Sequence, residues 1–178
     1  IESSIVESSS DTVIIDLDVV SYYPSVAIQN GFYPEHLSPV FCDVYAELLQ
    51  RRKQYAKGTA ENAALKLALN GVYGDSNNAY SVFYDPKYTM SVTINGQLAL
   101  CLLSEMLIDQ IPSLKMIQAN TDGITVQLDR DKLDQLNKIA AEWESLTKLE
   151  LESVEYDKMF IRDVNNYIAV GVDGKIKR

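Results

Sequence analysis

The sequence predicts an α+β domain, and three observations predict it. Apolar, β-branched runs bounded by turn residues stand near both ends of the chain, as strands do. Capped stretches of helical spacing lie between them. One tetrapeptide, Asn120-Thr121-Asp122-Gly123, separates two apolar runs and marks a β-hairpin, so the strands pair antiparallel. Strands and helices mixed this way place a mainly antiparallel sheet against helices.

The elements follow in order. The first ten residues, IESSIVESSS, are polar and Ser-rich and read as a loose lead-in. TVIIDLDVV (12–20) is an apolar run holding two acids and reads as a buried strand. Tyr23 to Gly31 makes a short helix that stops at the glycine. Residues 32–40 hold Pro34 and Pro39 and form a loop. A helix over 42–56 ends in Arg51, Arg52 and Lys53, with Lys57 just beyond, where cations suit the helix dipole. Thr59 caps a second helix running to Tyr73, which makes the pair a helical hairpin. Residues 74–78 break the chain and 79–84 read as a short strand. Residues 85–111 are mostly apolar, with Pro86 in the permitted first turn, and read as a buried helix. The hairpin of 115–128 follows, then an amphipathic helix over 130–147. The tail alternates as two or three strands, with a turn at Asp173-Gly174.

Composition excludes several kinds of chemistry. The 178 residues, 47% hydrophobic and 23% charged, suit one globular domain. No uninterrupted apolar run reaches about 18 residues, which argues against a membrane span. The amino terminus has no signal-peptide pattern. Sixteen basic and 25 acidic residues give a net charge of −9, unusual for a free-standing nucleic-acid binder. Cys42 and Cys101 are far apart and read as buried thiols. The single histidine, His36, sits in a Pro-flanked loop, so neither a multi-histidine zinc site nor a serine triad is expected. Metal chemistry here must use carboxylates, which select Mg²⁺ or Mn²⁺.

Three constellations carry possible chemistry. In Asp18-Val19-Val20-Ser21-Tyr22-Tyr23-Pro24-Ser25 an acid ends a buried strand, with Asp16 on its face by the period of two. Such an acid is either hydrogen-bonded or holds a metal. Asp122, with Asn120 and Thr121, is either a turn residue or a carboxylate projected from a hairpin tip. Lys66, Asn70 and Tyr73 share one helix face, either solvated or in contact with a ligand, and Gly71 and Gly74 would let another surface come close.

Together these segments resemble a known family. DVVSYYPS is similar to the first palm motif of the B-family DNA polymerases, Asp-x-x-Ser-Leu-Tyr-Pro-Ser. KLALNGVYG is similar to their fingers motif, Lys-x-x-x-Asn-Ser-x-Tyr-Gly. QANTDG is similar to the second palm motif, Tyr-x-Asp-Thr-Asp-Ser, and VNNYIAVGVDGKI to the Lys-Lys-x-Tyr segment and the strand after it. The four stand in the family's order over about 18–176. The departures are Gln118 for Tyr, Asn120 for the first Asp, Gly123 for Ser, Gly71 for Ser, and Asn165-Asn166 for the lysine pair.

The resemblance implies a polymerase palm with a short fingers hairpin: palm over 1–40 and 74–178, fingers over 41–73, with thumb and exonuclease regions elsewhere in a longer, possibly phage-encoded polypeptide. It implies template-directed nucleotidyl transfer with Asp18 and Asp122 bridging two Mg²⁺ (or Mn²⁺) ions and the Val19 carbonyl as a further ligand. Ser21, Tyr22, Lys66 and Asn70 would meet the nucleotide, Lys66 also acting on the leaving group. Tyr23 would lie under the sugar, while Tyr73, Gly74 and Tyr167 would meet the base pair or template. Asn120 and Thr121 would be auxiliary. One of Arg51, Arg52, Lys53 and Lys57 would add a phosphate contact, or all four are solvated. The implied partners are primer-template DNA, dNTP and the missing regions, with no membrane. The implied location is the cytoplasm, that of the host for a phage enzyme. The alternatives are a nucleotide cyclase or metal nuclease with two carboxylates, and a non-catalytic palm scaffold.

Overall fold

The computed structural model describes residues 3–177; Ile1, Glu2 and Arg178, at the outer ends of the expected palm segments, lie outside them. Among the described residues the fold is α+β, a curled antiparallel sheet with five α-helices. It forms two compact units. One holds the described residues through Val20 and those from Ala99 onward; the other is Ser21–Leu98.

The first unit is built on strand β2 (Thr12–Val19), which lies between β4 (Gly123–Asp129) and β5 (Leu151–Asp163). Strand β3 (Lys115–Ala119) pairs with β4, while β6 (Asn166–Gly171) and β7 (Ile176–Lys177) extend the sheet beyond β5. A central strand is covered on both faces, which explains the apolar run read from sequence. Val13, Ile15 and Leu17 share one face with their register partners Leu128, Val126 and Ile124, all buried. Ile14 points the other way into a cluster with Tyr156, Met159, Ile161 and Ala169. Asp16 and Asp18 follow Ile14 on that second face.

Helix α5 (Leu133–Thr147) buries Leu136, Ile139 and Trp143, a helical stripe, and the Trp143 indole donates to the Ala99 carbonyl at 2.7 Å. The 3-10 turn Arg130–Lys132 precedes it.

The second unit is helical. Helix α1 (Tyr22–Asn30) ends at Gly31, whose positive φ of 66° closes the helix. Helix α2 (Val40–Lys53) and α3 (Ala60–Asp75) form the expected hairpin, with Thr59 Oγ1 accepting from the Asn62 amide at 3.3 Å. The buried Tyr45 hydroxyl ties the two helices by donating to the Leu69 carbonyl at 2.5 Å. Helix α4 (Pro86–Gln110) starts here on Asp85 and runs on into the first unit.

Several expectations are corrected. The lead-in is not loose: Ser4–Glu7 is a strand, β1, paired antiparallel to the far half of β5, with Glu7 ion-paired to Lys158. Residues 79–84 are turns, held by Asn78 and Ser81 accepting local backbone N–H groups, which compete with strand pairing. Helix α3 runs through Gly74, so the break begins at Ser76. Helix α4 is buried on one face only: Tyr88, Val92, Leu100, Leu103 and Leu107 are buried, while Met90, Ile94, Leu98 and Ile108 are exposed. By length and composition α4 also meets the measure of a membrane-crossing helix, since small and hydroxyl residues interrupt its apolar runs without adding charge. Cys42 is half-buried and Cys101 exposed, because both fall on outer helix positions.

Candidate functional site

The first unit gathers charge at one end of β2. Its register sets Asp18 opposite Gly123 on β4 and opposite Glu152 on β5. Directly paired residues share a face, so Glu152 stands beside Asp18 on the side of the sheet that also carries Asp16 and Thr125. Asp122 immediately precedes Gly123, and its carbonyl accepts from the Val19 amide at 2.8 Å. The two acids singled out in the sequence, 18 and 122, therefore lie at adjacent strand ends. The hairpin tip is fixed by Asn120, whose Oδ1 accepts from the amides of Gly123 at 2.7 Å and Asp122 at 3.3 Å. Asn120 is thus a turn-forming residue, an Asx turn that an aspartate would also make. Thr121 and Asp122 are exposed.

Asp16 is 1% exposed, yet its carboxylate is fully satisfied. Oδ1 accepts from Thr125 Oγ1 at 2.6 Å, and Oδ2 from the Tyr156 hydroxyl at 2.7 Å and Lys177 Nζ at 2.9 Å. Lys177 also donates to Asp18 Oδ2 at 2.7 Å. Sequence reasoning missed this lysine. The available signal was the pair of acids on one strand face, which calls for a cation, and the alternation of Lys175 and Lys177. Tyr167, half-buried on β6, joins the same cluster. Burial raises its phenol above the ordinary range, Lys177 pulls it back, and Asp16 and Asp18 push it up again.

Electrostatics at Asp18 are unbalanced. Burial first, then the Asp16 carboxylate, push its carboxyl above the ordinary aspartate range; Lys177 opposes them and Asp122 adds a smaller push. Burial works against the Lys177 ammonium, but its bonds to Asp18 and Asp16 outweigh that and hold its pKa well above the usual lysine value. One ammonium thus serves two carboxylates, those of Asp16 and Asp18. Asp18 Oδ1 is buried with no hydrogen-bond partner among the described residues. An orphaned carboxylate oxygen in an electronegative setting fits a hard cation. Among the described residues no group of three or more His, Cys, Asp or Glu stands ready to hold a metal. That donor set suits an ion such as Mg²⁺, which binds through one or two carboxylates and keeps several waters. Gln118, opposite Thr125, is buried with neither amide atom partnered among the described residues.

The second unit holds the other predicted residues. Ser21 takes a left-handed conformation, φ 51° and ψ 51°, and starts α1. Its hydroxyl accepts from Arg52 at 2.9 Å. Arg52, on the helical hairpin, is thus tied to Ser21 at the start of the predicted nucleotide segment. Tyr22 is buried with its ring against Gly96 of α4, where any side chain would collide with it. Tyr23 stacks on Tyr73, so these two predicted residues meet. Lys66 and Asn70 are exposed on α3, and nothing among the described residues approaches the open faces of Gly71 and Gly74.

No protein-family model matches the chain. Over 95 residues, 53% of its length, the chain is 30% identical to the DNA polymerase alpha catalytic subunit of Trypanosoma brucei brucei. The matched stretch amounts to 7% of that protein. The match supports a distant, partial relationship to DNA polymerases. The α+β fold is compatible with that relationship and with other mixed folds.

Proposed function

We propose that this chain is the nucleotidyl-transfer region of a DNA polymerase of the B-family type, working within a longer polypeptide. The observation that carries the reading is Asp18 itself: a half-buried acid with one buried, orphaned oxygen, set beside Asp122 at the end of a central strand. The order of the motifs and the partial polymerase match support it.

In this reading Asp18 and Asp122, with the Val19 carbonyl, hold the divalent ions. Bound Mg²⁺ or Mn²⁺ would supply acidification of the primer 3′-hydroxyl and charge neutralisation at the leaving pyrophosphate. Backbone N–H groups at the start of α1, near Ser21 and Tyr22, bind the triphosphate, as a helix N-terminus favours anions. Lys66 holds the phosphates and gives its proton to the departing oxygen, and Asn70 lines the nucleotide site. Tyr23 supports the sugar, and Tyr73, Gly74 and Tyr167 meet the base pair or template. Primer-template DNA and dNTP are the partners, with exonuclease and thumb regions supplied elsewhere.

The test is single-nucleotide incorporation by the full-length polypeptide carrying Asp18→Asn or Asp122→Asn. Each should lose several orders of magnitude, because each removes a ligand most needed in the transition state. Near-normal incorporation by either variant would end the assignment. A scaffold without catalysis is the second reading, favoured by Asn120 in place of an acid and by the lysine on Asp18. It predicts no Mg²⁺-dependent binding of a nucleoside triphosphate.

A further inference from the structure

The two oxygens of Asp18 differ in this structure, and the side chain as a whole is 29% exposed. Oδ2 is bonded to Lys177 at 2.7 Å. Oδ1 is buried against Gly123 and lacks a partner. An ion that approaches Asp18 therefore meets the charge of the Lys177 ammonium on Oδ2. Lys177 has somewhere to stay when it leaves Asp18, since it is also bonded to Asp16 at 2.9 Å. The Lys177 side chain is 40% exposed, so it can leave Asp18 without crossing the core. Among the described residues Lys177 lies on β7, which pairs with β6 through Ala169 and Val170.

We infer that Lys177 is an internal counter-cation that occupies Asp18 in the ion-free protein, so that divalent-ion binding and release of Asp18 by Lys177 are one event. The inference rests on the reading of Asp18 as an ion ligand. Lys177 then acts on the ion through Asp18, as a positioning residue. It keeps the carboxylate from repelling Asp16 and Asp122 while the site is empty, at the expense of ion affinity. A unit charge a few ångströms away costs a competing cation a large part of its attraction, so its removal should raise ion affinity at least about tenfold.

The experiment compares Mn²⁺ affinity, read from the free-ion paramagnetic resonance signal, for the unaltered chain, Lys177→Met, Lys177→Arg and Asp18→Asn. Alongside it, the Lys177 side-chain methylene resonances of the unaltered chain are followed through a Mg²⁺ titration. Lys177→Met should bind Mn²⁺ at least about tenfold more tightly, Lys177→Arg should stay near the unaltered chain, and Asp18→Asn should lose the site. The Lys177 resonances should shift with Mg²⁺ and return on chelation. If Asp18→Asn abolishes binding but Lys177→Met leaves it unchanged or weaker, the competition is overturned while Asp18 stands as an ion ligand. If neither the unaltered chain nor Lys177→Met binds Mn²⁺, the ion site and the competition fall together. Should Lys177→Met fail to fold, the titration decides: Lys177 resonances that stay fixed while Mg²⁺ saturates the site overturn the inference.

Discussion

The ring of Tyr23 lies flat on the ring of Tyr73, centroids 3.6 Å apart and planes within 9°. Tyr73 is itself held by its hydroxyl on Thr93 Oγ1 at 2.8 Å, and Tyr22 meets Tyr23 edge-on at 5.1 Å. Tyr23 therefore has its orientation set by α3. Tyr23→Ala and Tyr73→Ala should each destabilise the chain, and a double-mutant cycle in urea should show a coupling of about 0.5–1.5 kcal/mol. Strict additivity would mean the stack contributes nothing.

The same pair bears on sugar choice under the proposed function. Tyr23→Ala should raise ribonucleotide use far more than it lowers deoxynucleotide use. Tyr73→Ala should move discrimination the same way but less, since it frees the Tyr23 ring without deleting it. Equal falls for both sugars in Tyr23→Ala would reduce that residue to packing.

Gly123 faces Asp18 so closely that a methyl group would collide with Asp18 Oδ1 and with the Leu17 carbonyl. The carboxylate can turn, but the backbone of β2 cannot. Gly123→Ala should cost about 1–3 kcal/mol in chemical denaturation. A change within about 0.5 kcal/mol, the usual range for surface substitutions, would show that the strand ends adjust freely.

Asp85 caps α4. Its Oδ1 accepts from the amides of Lys87 at 2.9 Å and Tyr88 at 3.1 Å, and its Oδ2 from the Glu35 amide at 2.8 Å. The slight burial of Asp85 works to raise its carboxyl, but these amide bonds prevail and hold it below the ordinary value of 3.8. Asp85→Ala should cost about 1 kcal/mol at neutral pH. The unfolded chain binds the extra proton first, so the cap is fully present above 3.8 and is lost as pH falls through the lower folded value. The stability gap between the two proteins should narrow as the pH falls below 3.8. A gap independent of pH would assign the loss to something other than the charge.

A chain of net charge −9, with Asn165 and Asn166 where the resembled family has lysines, should hold duplex DNA poorly by itself. Non-specific binding grows with the number of phosphates neutralised, and even competent binders reach only about 10⁻⁴–10⁻⁶ M at physiological salt. Titration with a labelled primer-template at about 0.15 M salt should show weaker binding than that; under the proposed function, the longer polypeptide should bind more tightly. Submicromolar binding by the chain alone would place a DNA-gripping surface within it.

Local chemistry was legible in the sequence. Gly31, Thr59 and Asp85-Pro86 mark helix ends, and Asn120 to Gly123 mark a hairpin, because each signal acts within a few residues of itself. Alternation also puts Asp16 and Asp18 on one strand face. The partners of those acids were not legible. Lys177 is 159 residues from Asp18 and Tyr156 is 140 from Asp16, and only the register of β2, β5, β6 and β7 brings them together. Strand β1 escaped notice for the same reason: its four residues are too polar to declare a strand, and β5 supplies their pairing. Which segments fold as helix or hairpin, and which acids share a face, is encoded locally in the chain. Tertiary structure alone decided what neutralises those acids, because strand register is set by burial across the whole sheet and a cation's place within it leaves no mark on its neighbours in the chain.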